Sequence, residues 1–114
     1  MLPKIQKVEF GNITINGEEH KENDIVLFWD KVEKKEKSHR ISLEHFQDVL
    51  LRSPDTVIFG TGFHDSVKID TRILHEAKTQ GVDVILKQTP KALEEFKRLS
   101  YKGKKVAAVI HTTC

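Results

Sequence analysis

Three short apolar runs, separated by segments of helical period, occupy the second half of the chain and restrict it to few folds. Val57-Ile58-Phe59 is β-branched and aromatic and ends at Gly60-Thr61-Gly62, as a buried strand entering a tight turn does. Val82, Val84, Ile85 and Leu86 form a second run, and 106–110 a third. Between the first two, Asp70 is placed to start a helix carrying Ile73, Leu74 and Ala77, with Gly81 at its left-handed end. Between the last two, Thr89 reads as an N-cap followed by Pro90 at the first helical position. Leu93, Phe96 and Leu99 then line one helix face, and Gly103 ends it. A further helix is expected over 43–52, with Ser42 as N-cap, Leu43, Phe46, Val49 and Leu50 as its apolar stripe, and Pro54 forbidding continuation. Strand, helix, strand, helix, strand with long crossovers predicts parallel pairing and right-handed connections.

The first third reads as β. Val8 and Phe10, then Ile13 and Ile15, alternate with polar neighbours, and Asn16-Gly17 supplies a turn tolerant of positive φ. An apolar run from Ile25 to Trp29 predicts a buried strand ending at a partly buried tryptophan, and the charged stretch 31–37 reads as a solvated loop. This β-rich portion either extends the parallel sheet with antiparallel strands or packs on it as a second layer. The fold class is therefore α/β: one domain over residues 1–114, with a mixed central sheet, a parallel βαβαβ C-terminal half and a β-rich N-terminal third.

Composition narrows the function classes. The 19 basic and 17 acidic side chains leave a formal charge of +2, too balanced for a general nucleic-acid surface. No apolar run approaches the ~20 residues of a membrane-spanning helix. A single cysteine, Cys114, excludes an internal disulfide framework and agrees with a reducing compartment. The opening residues carry no signal-peptide or transit pattern, so the cytoplasm is the expected location.

Ligands of open parallel sheets bind beyond the carboxyl ends of the strands, where loops and helix N-termini line a crevice. Three segments must lie there: 60–66, 87–89 and 111–114. The candidate pocket is thus Gly60, Thr61, Gly62, His64, Asp65, Lys87, Thr89, His111 and Cys114, which together offer a thiol, two imidazoles, a carboxylate and a cation. Gly60-Thr61-Gly62 opens like a dinucleotide fingerprint, but Asp65 stands where the third glycine belongs and no helix follows at once. No cofactor is expected, and the glycines are read as turn formers. Cys114 and His111 are the residue types of a thiolate and its base, against the plainer reading of a frayed last residue. His64 and Asp65 are adjacent, and His20, His39, His45 and His75 are scattered, so no metal site is expected. No catalytic residue is assigned, because no complete catalytic motif is present.

Several segments taken together resemble one known family: Phe10-Gly11-Asn12-Ile13-Thr14-Ile15-Asn16-Gly17, Trp29-Asp30, His39-Arg40-Ile41, Pro54-Asp55 through Gly60-Thr61-Gly62, Thr89 with Ala92, and His111-Thr112-Thr113-Cys114. The family holds archaeal and bacterial proteins of unknown function, the mammalian adipogenesis-associated Mth-type domain protein and the mitochondrial complex I assembly factor 3. The resemblance spans nearly the whole chain and implies a three-layer α/β fold around a mixed sheet. It implies no reaction, cofactor or catalytic residue. This sequence departs from the family's pattern at His20, where tyrosine is common, and at Phe96-Lys97, where Tyr-Asn is frequent. The expected function is a non-enzymatic binding or assembly-accessory module with an unidentified protein partner, acting as a monomer or weak homodimer. The alternative is a small-molecule-binding protein or enzyme using the crevice.

Overall fold

The computed structural model describes residues 2–114. Five strands form the central sheet, in the order β5 (Lys31–Lys35), β4 (Asp24–Phe28), β10 (Val106–Ile110), β7 (Thr56–Gly60), β9 (Asp83–Lys87). The last three run parallel, and β4 and β5 join antiparallel to them, so the sheet is mixed. Three helices, α1 (Leu43–Leu50), α2 (Arg72–Gln80) and α3 (Thr89–Tyr101), cover its two faces. A meander of β1 (Ile5–Glu9), β2 (Asn12–Ile15) and β3 (Glu18–His20) shares one face with α3, and a two-residue parallel ladder joins β6 (Arg40–Ile41) to β8 (Lys68–Ile69). The N-terminal third thus does both things the sequence allowed: β4 and β5 extend the sheet, and β1–β3 form part of a layer.

Period-two alternation sorts the core. Ile25 and Leu27, Ile58, and Val106, Ala108 and Ile110 point toward Phe96 and Leu93 of α3 and Ile13 and Ile15 of β2. Their neighbours Val26, Phe28, Val57, Phe59, Ala107 and Val109 point toward Phe46 and Val49 of α1 and Ile73 and Ala77 of α2. Because β4, β7 and β10 are buried on both faces, they read in sequence as continuous apolar runs.

The helix ends follow local chemistry. Ser42 Oγ accepts from the His45 N–H at 3.2 Å, and α1 stops at Leu50, before the expected 52, where bonds tighten to i→i+3 ahead of Pro54. At the end of α2, Gly81 has φ +70° while Val82 N–H reaches the Ala77 carbonyl and Gly81 N–H reaches that of Lys78. That Schellman closure uses Val82 for the helix exit and starts β9 one residue later than its apolar run does.

The stretch 31–37 is corrected: most of it is not a loop but β5, paired with β4 in the register Leu27↔Val32 after the two-residue connection Trp29-Asp30. An outer strand needs little apolar signal. Val32 packs on the core, while Lys31 pairs with Glu33 at 2.6 Å and Lys34 with Glu18 at 2.8 Å. Trp29 follows the last residue of β4 and is half-buried, with the Arg52 guanidinium 4.8 Å from its ring.

A stitched edge at the carboxyl ends of the parallel strands

The parallel direction of β7, β9 and β10 sends the chain out at one edge of the sheet, at Thr61, Gln88 and His111. There the segments 60–66, 87–89 and 111–114 are hydrogen-bonded to one another. Gly60 O accepts from the His111 N–H at 3.0 Å, and Thr61 N–H donates to Lys87 O at 2.9 Å. Phe63 N–H donates to Thr113 O and His64 N–H to Cys114 O, both at 2.7 Å. Gly11, in the turn between β1 and β2, donates to Thr112 O at 2.7 Å and ties the meander to the same edge.

Thr89 is the central side chain of this network and corrects an expectation. It does not cap its own helix, which begins after Gln88 without a side-chain cap. Its fully buried hydroxyl accepts from the Gly62 N–H at 3.0 Å and donates to His111 O at 2.6 Å, linking loops that follow two different strands. Gly62 is held at φ +96°, and a Cβ there would lie 2.1 Å from the Cys114 carbonyl carbon, so the close approach and the backbone angle both require glycine. Gly60 lies under α3, where a Cβ would meet Ile110 Cδ1 at 2.9 Å and Ala92 Cβ at 3.3 Å.

The remaining candidates divide. Thr61 is buried, and its hydroxyl donates to Asp65 Oδ1 and lies 3.1 Å from Lys87 O; Asp65 Oδ2 receives Gln88 Nε2 at 3.3 Å. Lys87 contributes its backbone to the edge and leaves its side chain exposed. His64 is exposed, and Cys114 is held through its carbonyl oxygen with its thiol exposed.

His111 does not serve Cys114. Its ring is buried, with Nδ1 2.8 Å from Asp24 Oδ2 and Nε2 3.1 Å from Thr113 Oγ1. An ionised carboxylate only accepts, so Nδ1 carries a proton toward Asp24, and in the neutral ring Nε2 then accepts the Thr113 O–H. Asp24 is equally buried and also accepts the Thr112 N–H at 3.1 Å and the Ser38 N–H at 3.2 Å. The His39 ring packs edge-on against that of His111, with centroids 4.8 Å apart. The resulting chain, Asp24 to His111 to Thr113, locks the end of β10 to the start of β4 and finishes at a half-buried hydroxyl.

Sequence reasoning missed Asp24, Thr112, Thr113 and the aromatic pair Phe10 and Phe63. The signal for Asp24 was an acid beginning a run otherwise wholly apolar. Phe10, expected among the alternating apolar positions of a strand, instead sits in the turn after β1, 54 % exposed, with its ring 5.6 Å from Phe63 and 5.7 Å from His64. Among the described residues, no group of three or more His, Cys, Asp or Glu side chains is arranged to hold a metal ion, and no helix is long and apolar enough to cross a membrane.

A family profile described as "Protein of unknown function (DUF498/DUF598)" matches residues 5–111. The chain belongs to this family. A conserved hypothetical protein from Pyrococcus horikoshii, PH1505, superposes with a TM-score of 0.86 at 29% identity, covering 97% of this chain and 99% of that one. The solved structure named MT938 gives a TM-score of 0.79 at 24% identity, over 98% and 99% of the two chains. A Bordetella pertussis protein described as a Mth938-like domain gives 0.78 at 15% identity over 96% and 85%. The last two likenesses, below 25% identity, speak for the fold alone. The DUF498/DUF598 fold is thus shared nearly end to end.

Proposed function

We propose that this DUF498/DUF598 domain is a non-enzymatic binding or assembly-accessory module that docks a protein partner at the stitched edge. The observation that carries this reading is the exposed Phe10, packed edge-on against Phe63 beside His64, on backbone whose loops are bonded to one another. Aromatic side chains on a preorganised frame lose little entropy on docking and supply large contact area. The N–H of Gly62, placed where an anion-binding donor would be useful, is already taken by Thr89. The resemblance to the complex I assembly factor and the adipogenesis-associated protein supports an accessory role. We read its setting as the cytoplasm, from one cysteine in 114 residues.

The test is affinity capture from native lysate with the wild type and with the Phe10→Ala/Phe63→Ala double variant, with thermal melts as the folding control. A protein recovered by the wild type and lost with the folded variant supports the reading. Capture of no protein, with a metabolite specifically retained, reverses it. Capture of nucleic acid that falls steeply with salt overturns it as well.

A second reading, a small-molecule-binding protein or enzyme, is favoured by one observation: the hydrogen-bonded chain from Asp24 through His111 to the Thr113 hydroxyl. Under it, the protein turns over an activated ester such as p-nitrophenyl acetate, and Thr113→Val abolishes the rate. No turnover above buffer removes its catalytic form, and retention of no metabolite in the affinity capture removes its binding form.

A further inference from the structure

The two edges of the central sheet are unlike. β5 carries Lys31, Glu33, Lys34 and Lys35 along its length, the charge pattern with which outer strands repel a further strand. β9, the other edge, is Asp83-Val84-Ile85-Leu86-Lys87, with charges only at its two ends and of opposite sign. The Asp83 N–H donates to Asp55 O at 3.1 Å and Lys87 O accepts from the Thr61 N–H at 2.9 Å, so the backbone groups of 83, 85 and 87 face β7. By alternation, those of Val84 and Leu86 face outward.

We propose that β9 pairs antiparallel with β9 of a second copy of this chain, across a twofold axis passing beside Ile85. The register follows from symmetry: position 83 lies opposite 87, 84 opposite 86, and 85 opposite itself. Val84 and Leu86, whose backbone groups point outward, are then the hydrogen-bonded pair, which gives four new bonds about the axis. Position 83 falls opposite 87 at the closer, non-hydrogen-bonded spacing, with Cα atoms about 4.5 Å apart. Asp83 thus meets Lys87 twice, and among the described residues neither side chain has an ion-pair partner within the chain.

The apolar groups agree with the same register. On the face shared with α2, Leu74 and Leu86 are 50% and 47% exposed. A groove of about 370 Å³ runs along this edge, lined by Leu74, Ala77, Val82 and Val84 among others. Leu86 of the second copy stands opposite Val84 on the same face, where it covers this groove. The outcome is a continuous ten-stranded sheet whose two aromatic edges point in opposite directions. This pairing does not depend on the docking reading, since Phe10 and Phe63 lie outside it.

The test is sedimentation equilibrium on the full chain over a concentration series to about 1 mM, with Asp83→Lys, Lys87→Asp and the double exchange. Each single reversal sets like charges opposite each other twice and is expected to weaken the dimer about tenfold. The double exchange restores opposite charges and is expected to recover the wild-type dimer to within about threefold. Melting curves establish that each variant is folded. In the wild type, the Val84 and Leu86 amides should slow their hydrogen exchange as concentration rises. A wild type that stays monomeric throughout, single reversals that leave association unchanged, or a double exchange no better than either single one overturns the proposal.

Discussion

Replacing Gly62 with alanine isolates the contact that closes the carboxyl edge. The residue sits at φ +96°, and the added Cβ would stand 2.1 Å from the Cys114 carbonyl carbon, 2.4 Å from its oxygen and 3.1 Å from His111 Cδ2. Backbone cannot yield by an ångström without losing the bonds from Phe63 to Thr113 and from His64 to Cys114. The conformational cost of a non-glycine residue there is about 1–2 kcal/mol. Two backbone hydrogen bonds lost add about 1 kcal/mol each. The total of about 3–4 kcal/mol lowers the melting temperature by roughly 12–16 °C, at about 4 °C per kcal/mol for a domain near this size. Gly103→Ala is the control. It has φ +79° and nothing within 4 Å of its added Cβ, so it carries only the conformational cost and a fall of roughly 4–8 °C. Calorimetric scans of the two variants at one pH read the difference. Equal losses would refute the packing of loop 61–66 against the 111–114 segment.

Three further outcomes follow from single contacts. Asp24→Asn offers an amide where a carboxylate accepts from Thr112, Ser38 and His111, so urea denaturation should show a loss of about 2–4 kcal/mol, and an unchanged midpoint would contradict the network. The Arg72 guanidinium, helped by its backbone N–H, holds the Asp70 carboxyl at about 2, below the ~3.9 of an unfolded aspartate. The folded value is depressed, so its stabilisation is present above about pH 4 and lost as pH falls toward about 2. The melting-temperature gap between wild type and Asp70→Asn should close across that window, whereas a gap independent of pH would speak against the pair. Trp29 emission should be blue-shifted from that of tryptophan in water, and Arg52→Ala should move it to the red and raise quenching by acrylamide, because the guanidinium lies 4.8 Å over the ring while bonding Asp30 at 2.7 and 2.8 Å. Insensitivity to that substitution would place the tryptophan elsewhere.

Legibility from sequence depended on how local the cause was. Ser42, Gly81 and Gly103 act on their own helices, and the doubly buried strands show continuous apolar runs, so the parallel half could be read directly. β5 was hidden because an edge strand needs one inward residue, Val32, and the charges that protect it look like those of a loop. The β6 and β8 ladder, two residues long, has no periodicity to find. Thr89 carried the right chemistry for a cap, but tertiary structure recruits its hydroxyl to join Gly62 and His111. His111 has the residue type of a base for its near neighbour Cys114, but its ring turns to Asp24, 87 positions away. That pairing exists only because β4 lies beside β10, an adjacency that strand patterns do not encode.

The claim on which the docking reading stands is that the carboxyl edge is a fixed platform and not a mobile crevice. Amide hydrogen exchange at Gly11, Gly62, Phe63 and His64, followed by NMR in the folded protein, tests it residue by residue. Each of these N–H groups has an acceptor at 3.0 Å or less, in Thr112, Thr89, Thr113 and Cys114 respectively. Protection at all four sites should be comparable to that of the amides within β7 and β10. Exchange at free-loop rates, while the strand amides stay protected, would contradict it.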